Sequence, residues 1–190
     1  MQSEKLIQSL IEQTRQILNQ VENLKKLDAR TLNFRTDEKS WSILECVEHL
    51  NLYGEFYLPE IENNITTSDS KFETELKSGF LGSYFAKSML PKQKLNKMKT
   101  FKDKNPINSK LDKSAIDKFI GQQIKLWELL NQSRIISLNQ IRIKTSIASF
   151  IRLKLRDTFQ FLINHTIRHL KQIEGLQKIQ EDKTFNEVKL

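Results

Sequence analysis

The chain has little of what breaks or cross-links a fold. Its 190 residues include three prolines, five glycines and one cysteine. Scarce Pro and Gly disfavour a turn-rich sandwich or barrel and favour long helices. The lone Cys46 excludes an intrachain disulfide and suits a reducing compartment. No run approaches the roughly 18 apolar residues of a membrane span. The opening MQSEKLIQSLIEQTRQ is charged and amphipathic, without the apolar core of a signal peptide. A cytoplasmic location with no membrane partner is therefore expected. Chemical signatures are missing too. There is no Gly-rich phosphate loop, no His-Glu-x-x-His and no supported Ser-His-Asp or Cys-His arrangement, which removes nucleotide hydrolysis of P-loop type and zincin-type proteolysis.

A hydrophobic content of 38% and a charged content of 28% suit one globular domain, read here as residues 1–190. The net charge of +8 raises nucleic acid or an anionic membrane as partners. Much of the excess is local. Leu76 to Leu111 carries nine lysines, one acid (Asp103) and no arginine. Such a tract reads as a solvated loop before a binding surface. Nucleic acid is not the favoured partner.

Apolar spacing of three and four predicts four long helices. The first covers 3–26, with a polar connection over 27–40. The second starts at Trp41–Ser42, where Ser42 and Glu45 have capping-box spacing, and runs to about Asn64 unless Pro59 kinks or ends it. Residues 65–111 form a long irregular connection in which ETELKSGFLGSYFAKSML holds a short helix. The third helix covers 113–133, with Ile116, Phe119, Ile120, Ile124, Trp127 and Leu130 inward. Residues 134–156 alternate apolar and basic (IRIKTSIASFIRLKLR). Short strands would fit parts of it, but an irregular or helical connector is preferred. The fourth helix runs from an Asp157 N-cap to about Ile179. The fold class is all-α, a four-helix bundle.

Histidine is as scarce as proline, with three residues in all: His49, His165 and His169. His165 and His169, four apart, stack on one helical face. His49 lies on the inward face of the second helix, so the three can meet only inside the bundle. Burying three imidazoles without partners is costly for each polar nitrogen. A divalent metal resolves all three and leaves a coordination position open. Spacing alone leaves the metal site and ordinary helix histidines both standing. Cys46 reads as a buried small hydrophobe, Glu45 as a cap before a ligand, and Trp41 and Trp127 as core or helix-end packing. Arg168 and Gln172 either orient ligands, bind an anionic substrate or face solvent.

WSILECVEHL on the second helix and FLINHTIRHLKQIEGL on the last together resemble the DinB-like (YfiT-like) superfamily. That family shows Trp-Ser/Thr-x-x-Glu, a histidine on the same helix, then His-x-x-x-His followed by Gln. Trp41, Ser42, Glu45, His49, His165, Arg168, His169 and Gln172 match in order. The resemblance implies up-down-down-up connectivity, frequent homodimers and a metal held by His49, His165 and His169. Glu45, Arg168 and Gln172 become candidates for orienting those ligands or touching substrate. Zn or Ni are the expected ions; Fe or Mn also fit. Relatives of this kind include metal-dependent thiol transferases, a thiol-dependent isomerase and proposed hydrolases. The expected function is therefore activation of water or a low-molecular-weight thiol against a small-molecule substrate. The alternative is a non-catalytic helical module whose 76–111 segment contacts an acidic partner or nucleic acid. Residues 65–111 have no counterpart in the family pattern.

Overall fold

The computed structural model describes residues 2–77, 79–91, 99–148 and 150–187. It is mostly helical: α1 (Ser3–Leu24), α2 (Ala29–Leu32), α3 (Ile43–Thr66), α4 (Phe80–Ser88), α5 (Ser114–Gln132) and α6 (Leu155–Glu187), with a small sheet of β1 (Arg142–Lys144) and β2 (Arg152–Lys154). Among the described residues, no helix is long and apolar enough to cross a membrane.

The four long helices bury their stripes in one core that includes Ile7, Val21, Ile43, Ile61, Ile116, Phe119, Phe159 and Ile163. Polar pairs fix their relative directions. Lys25 meets Asp117 at one end of α1 and α5, and Glu4 meets Arg134 beyond the other, so these helices are antiparallel. Lys118 pairs with Glu55 and Lys125 with Glu62, so α3 and α5 are parallel. Tyr57 packs on Phe161 and His49 on His165, so α3 and α6 are antiparallel. Gly54 permits the α3–α5 approach: a Cβ there would overlap the Gln122 amide, which donates to Asn51 O at 3.1 Å.

The start of α3 follows its sequence signature. Ser42 Oγ accepts from Glu45 N–H, and the Glu45 carboxylate accepts from Ser42 N–H. The expected early end at Pro59 does not occur. The helix continues to Thr66 with Pro59 on its exposed side. There the Glu55 carbonyl, which lacks its N–H partner, can turn to water.

Three further expectations are corrected. Residues 134–156 are neither helical nor irregular throughout: β1 and β2 form an antiparallel hairpin pairing Arg142 with Lys154, Ile143 with Leu153 and Lys144 with Arg152. Alternation of apolar and basic residues is the period of a half-buried strand, and here it wins. The inward face of α5 carries Ala115, Ile116, Phe119, Gln123, Leu126, Leu129 and Leu130, whereas Ile124 and Trp127 are 47% and 45% exposed. Asp157 is no N-cap. α6 already begins at Leu155 and extends to Glu187. Asp157 is buried against α4, where a Cβ at Gly82 would overlap its carboxylate.

Candidate metal centre

His49 projects from the second turn of α3, and His165 and His169 from successive turns of α6. All three are buried, at 3%, 5% and 7% exposure. Their rings converge edge-on: His165 Nε2 lies 3.2 Å from His49 Nε2 and 3.1 Å from His169 Nε2. Ligand atoms of the three lie within 4.8 Å of one another.

The tautomers follow from the neighbours. His49 Nδ1 is 2.6 Å from the carbonyl of Lys104, which can only accept, so His49 carries its proton on Nδ1. His169 Nδ1 likewise donates to Gln172 Oε1 at 3.0 Å. Both Nε2 atoms are then lone-pair acceptors aimed at His165 Nε2. At most one hydrogen, on His165, is available to three facing nitrogens. His165 Nδ1 has no partner among the described residues. Three converging ring nitrogens, two of them lone pairs fixed by acceptors on their outer nitrogens, are the pattern of imidazoles arranged for a cation. The residues fit a divalent metal.

Aromatic rings wall the cluster. Trp41 lies 4.6 Å from the His49 ring and 5.8 Å from His169. Tyr53 stands 4.6 Å from His165 and 5.0 Å from His49, and Phe161 stacks on His165 at 5.6 Å. Burial in this collar favours uncharged imidazole. It pushes His49 down to about 4 and His169 to about 3, and His165 well below its ordinary value. Arg168, itself 7% exposed, adds a positive charge that lowers His165 and His169 further. Burial also raises the Tyr53 hydroxyl to about 12.

The sequence candidates sort cleanly. His49, His165 and His169 meet, and Gln172 touches His169. Arg168 is buried and does not face solvent. Glu45 does not reach the cluster as a ligand; it caps α3 and accepts from Arg35 Nη2 at 2.7 Å and Asn108 N–H at 2.5 Å. Cys46 is fully buried outside the histidine group, and burial raises its thiol. Trp41 proves part of the wall, and Trp127 lies half-exposed on α5.

The connection read as an irregular lysine-rich loop supplies what the sequence reading missed. Residues 101–108 form a strap over His49, with a 3₁₀ turn at Lys102–Lys104. Trp41 Nε1 donates to Asn105 Oδ1 at 3.0 Å, and Arg35 Nη1 to Asn108 Oδ1 at 2.6 Å. Asn108 sits in the left-handed region at φ 64°. The strap acts through a backbone carbonyl, which no side-chain motif announces. Residues 92–98, the lysine-rich centre of the expected 76–111 contact surface, lie outside the described residues.

The family model described as the DinB superfamily matches residues 10–173, the span that holds all three histidines. The chain belongs to the DinB superfamily. Neither a curated protein nor a solved structure matches it. The DinB-superfamily match and the buried three-histidine cluster are together compatible with metal binding.

Proposed function

We propose that this DinB-superfamily protein binds one divalent metal through Nε2 of His49, His165 and His169 and is a metal-dependent enzyme acting on a small molecule. The observation that carries the reading is the pinning of two Nδ1–H groups, by Lys104 O and Gln172 Oε1, which turns the Nε2 lone pairs to one point. The parallel α3–α5 pair and the antiparallel α1–α5 and α3–α6 pairs support the up-down-down-up bundle.

When bound, such an ion supplies Lewis acidity, lowering the pKa of water toward about 7 or deprotonating a thiol outright. The chain's own residues do the rest. Lys104 O and Gln172 fix the orientation of two imidazoles. Trp41, Tyr53 and Phe161 keep the centre dry, which strengthens every charge interaction within it. Arg168 favours an anionic reactant, such as a carboxylate-bearing substrate or a thiolate. A hydrolase and a thiol S-transferase both suit this arrangement. Zn and Ni are the favoured ions, with Fe and Mn next by donor type.

The test is elemental analysis of protein purified without a nickel column, followed by a screen of simple esters and of electrophiles with low-molecular-weight thiols. The reading expects about one metal per chain and turnover in one of the two screens that chelator removes. Metal-free protein that takes up no added Zn or Ni would contradict it.

A further inference from the structure

The hairpin carries a charge pattern that its own fold offsets only in part. Ile143 and Leu153 point into the core, and the residues beside them point out. In this register Arg142 stands opposite Lys154 and Lys144 opposite Arg152. Two like-charged pairs directly across a two-stranded sheet destabilise it. Compensation is partial. Lys144 Nζ reaches Glu60 at 4.0 Å, Lys154 Nζ donates to Lys77 O, and the buried Asp157 carboxylate attracts both Lys154 and Arg142, while Arg152 has no ion pair among the described residues.

In the turn between the strands the described residues include Ile147, Ala148 and Ile151, which are half-buried, and Phe150, which is 86% exposed. The turn is nevertheless held in place. Thr145 N–H donates to Ile151 O at 3.1 Å, and Ser146 N–H donates to the Tyr57 hydroxyl at 3.1 Å. The start of α4 adds exposed rings at the other end of the hairpin, beside its cations. Gly79 lies against the Lys154 side chain, and the next residue, Phe80, is 94% exposed, with Tyr84 one turn on at 65%. An exposed ring at the tip, flanked by the half-buried Ile147 and Ile151, with four cations along the strands behind it, matches the layering of an anionic bilayer surface: apolar groups enter the acyl boundary and cations meet the phosphates. A nucleic acid would reward the cations and the ring but not the half-buried aliphatic flank of Ile147 and Ile151.

We propose that the Arg142–Lys154 hairpin, with its Phe150 tip and the adjoining Phe80–Tyr84 edge of α4, docks the protein peripherally on an anionic phospholipid surface. This revises the expectation of no membrane partner, which rested on the absence of a span. It is independent of the metal reading.

The experiment is sedimentation of the full chain with phosphatidylcholine vesicles with and without phosphatidylglycerol, across a salt series. The wild type is expected to bind only the phosphatidylglycerol vesicles and to be released by high salt. Arg142→Ala with Arg152→Ala is expected to weaken binding about thirtyfold, and Phe150→Ser about tenfold. Removing equal charge far away, with Lys26→Ala and Lys178→Ala, is expected to change it by no more than about twofold. Equal losses in the two double variants would reduce the effect to net charge and overturn the proposal. So would a wild type that ignores phosphatidylglycerol, a result that needs no variant to fold. Tighter binding to a mixed-sequence single-stranded oligonucleotide at the same salt, insensitive to Phe150→Ser, would also overturn it and point to nucleic acid.

Discussion

Two basic stretches with no long helix of their own end up in opposite roles. The strap of residues 101–108 turns inward: its Lys104 carbonyl holds His49, and side chains from α3 and the loop before it clasp its end. The hairpin of residues 142–154 turns its cations outward and buries Ile143 and Leu153 between them, with Thr145 at the turn. Lysine content does not separate them. What separates them is where their backbone polar groups go. The strap gives a carbonyl and an amide to His49 and Glu45 in the first two turns of α3, whereas the hairpin pairs mostly with itself and reaches α3 only farther along, where Ser146 N–H donates to the Tyr57 hydroxyl and Lys144 N–H to Glu60. The account therefore expects the strap to depend on the state of the histidines and of Glu45, and the hairpin to be indifferent to both.

Acid should break the comparison most strongly. In metal-free protein His49 is held down at about 4 and His169 at about 3. The unfolded chain, with histidines near 6.5, takes up protons first as pH falls. This stability is thus intact above about 6.5 and is lost as pH drops toward 4. His49 alone contributes about 3 kcal/mol of that loss. Urea melts of chelator-treated protein at neutral and acid pH measure it. Hydrogen exchange sharpens it: the Asn108 amide should open before that of Thr145 in the hairpin, which donates to Ile151 O. Earlier opening of the hairpin would break the comparison.

Glu45→Ala comes next. It removes the cap of α3 and strands Arg35 and the Asn108 amide, at a cost of about 3 kcal/mol. Weaker metal retention should accompany it, because the strap that orients His49 loses its anchor. Leu153→Ala should cost about 2 kcal/mol through a cavity under the hairpin yet leave metal content unchanged. Denaturant melts paired with elemental analysis distinguish these outcomes. The smallest effect belongs to Asn108→Ala, about 1 kcal/mol from the left-handed backbone. Asn108→Gly relieves that backbone cost and should melt closer to the wild type.

Much of this was legible in the sequence. The periodic stripes marked α1, α3 and α6, Ser42 with Glu45 marked the start of α3, and three scarce histidines marked the place where α3 meets α6. The misses have physical causes. On α5 the buried arc centres on Phe119 and Leu126; Trp127 lies at its flank, and Ile124, about 140° round the helix from Phe119, lies near the far side. The hairpin announced itself by alternation, but each strand is only three residues long and the register depends on tertiary contact with Tyr57. Asp157 resembled a cap because its burial against Gly82 is made by α4, which joins it from far away in sequence. The strap was hidden because its contribution is a carbonyl.

Whether the three histidines form one metal centre is decided by the metal content of His165→Ala and His169→Ala, each purified without a nickel column and measured beside the wild type. The account predicts about one ion per chain in the wild type and little in either variant, because three protein ligands act as one site. Both variants should stay helical, since the stripes from Leu6 to Leu24 and from Leu162 to Leu176 pack without the ion. Their melting temperatures should fall to that of chelator-treated wild type, reflecting a lost linkage term of about 3–4 kcal/mol at saturating metal. Full metal content in both variants would contradict the assignment of His49, His165 and His169 as one metal centre.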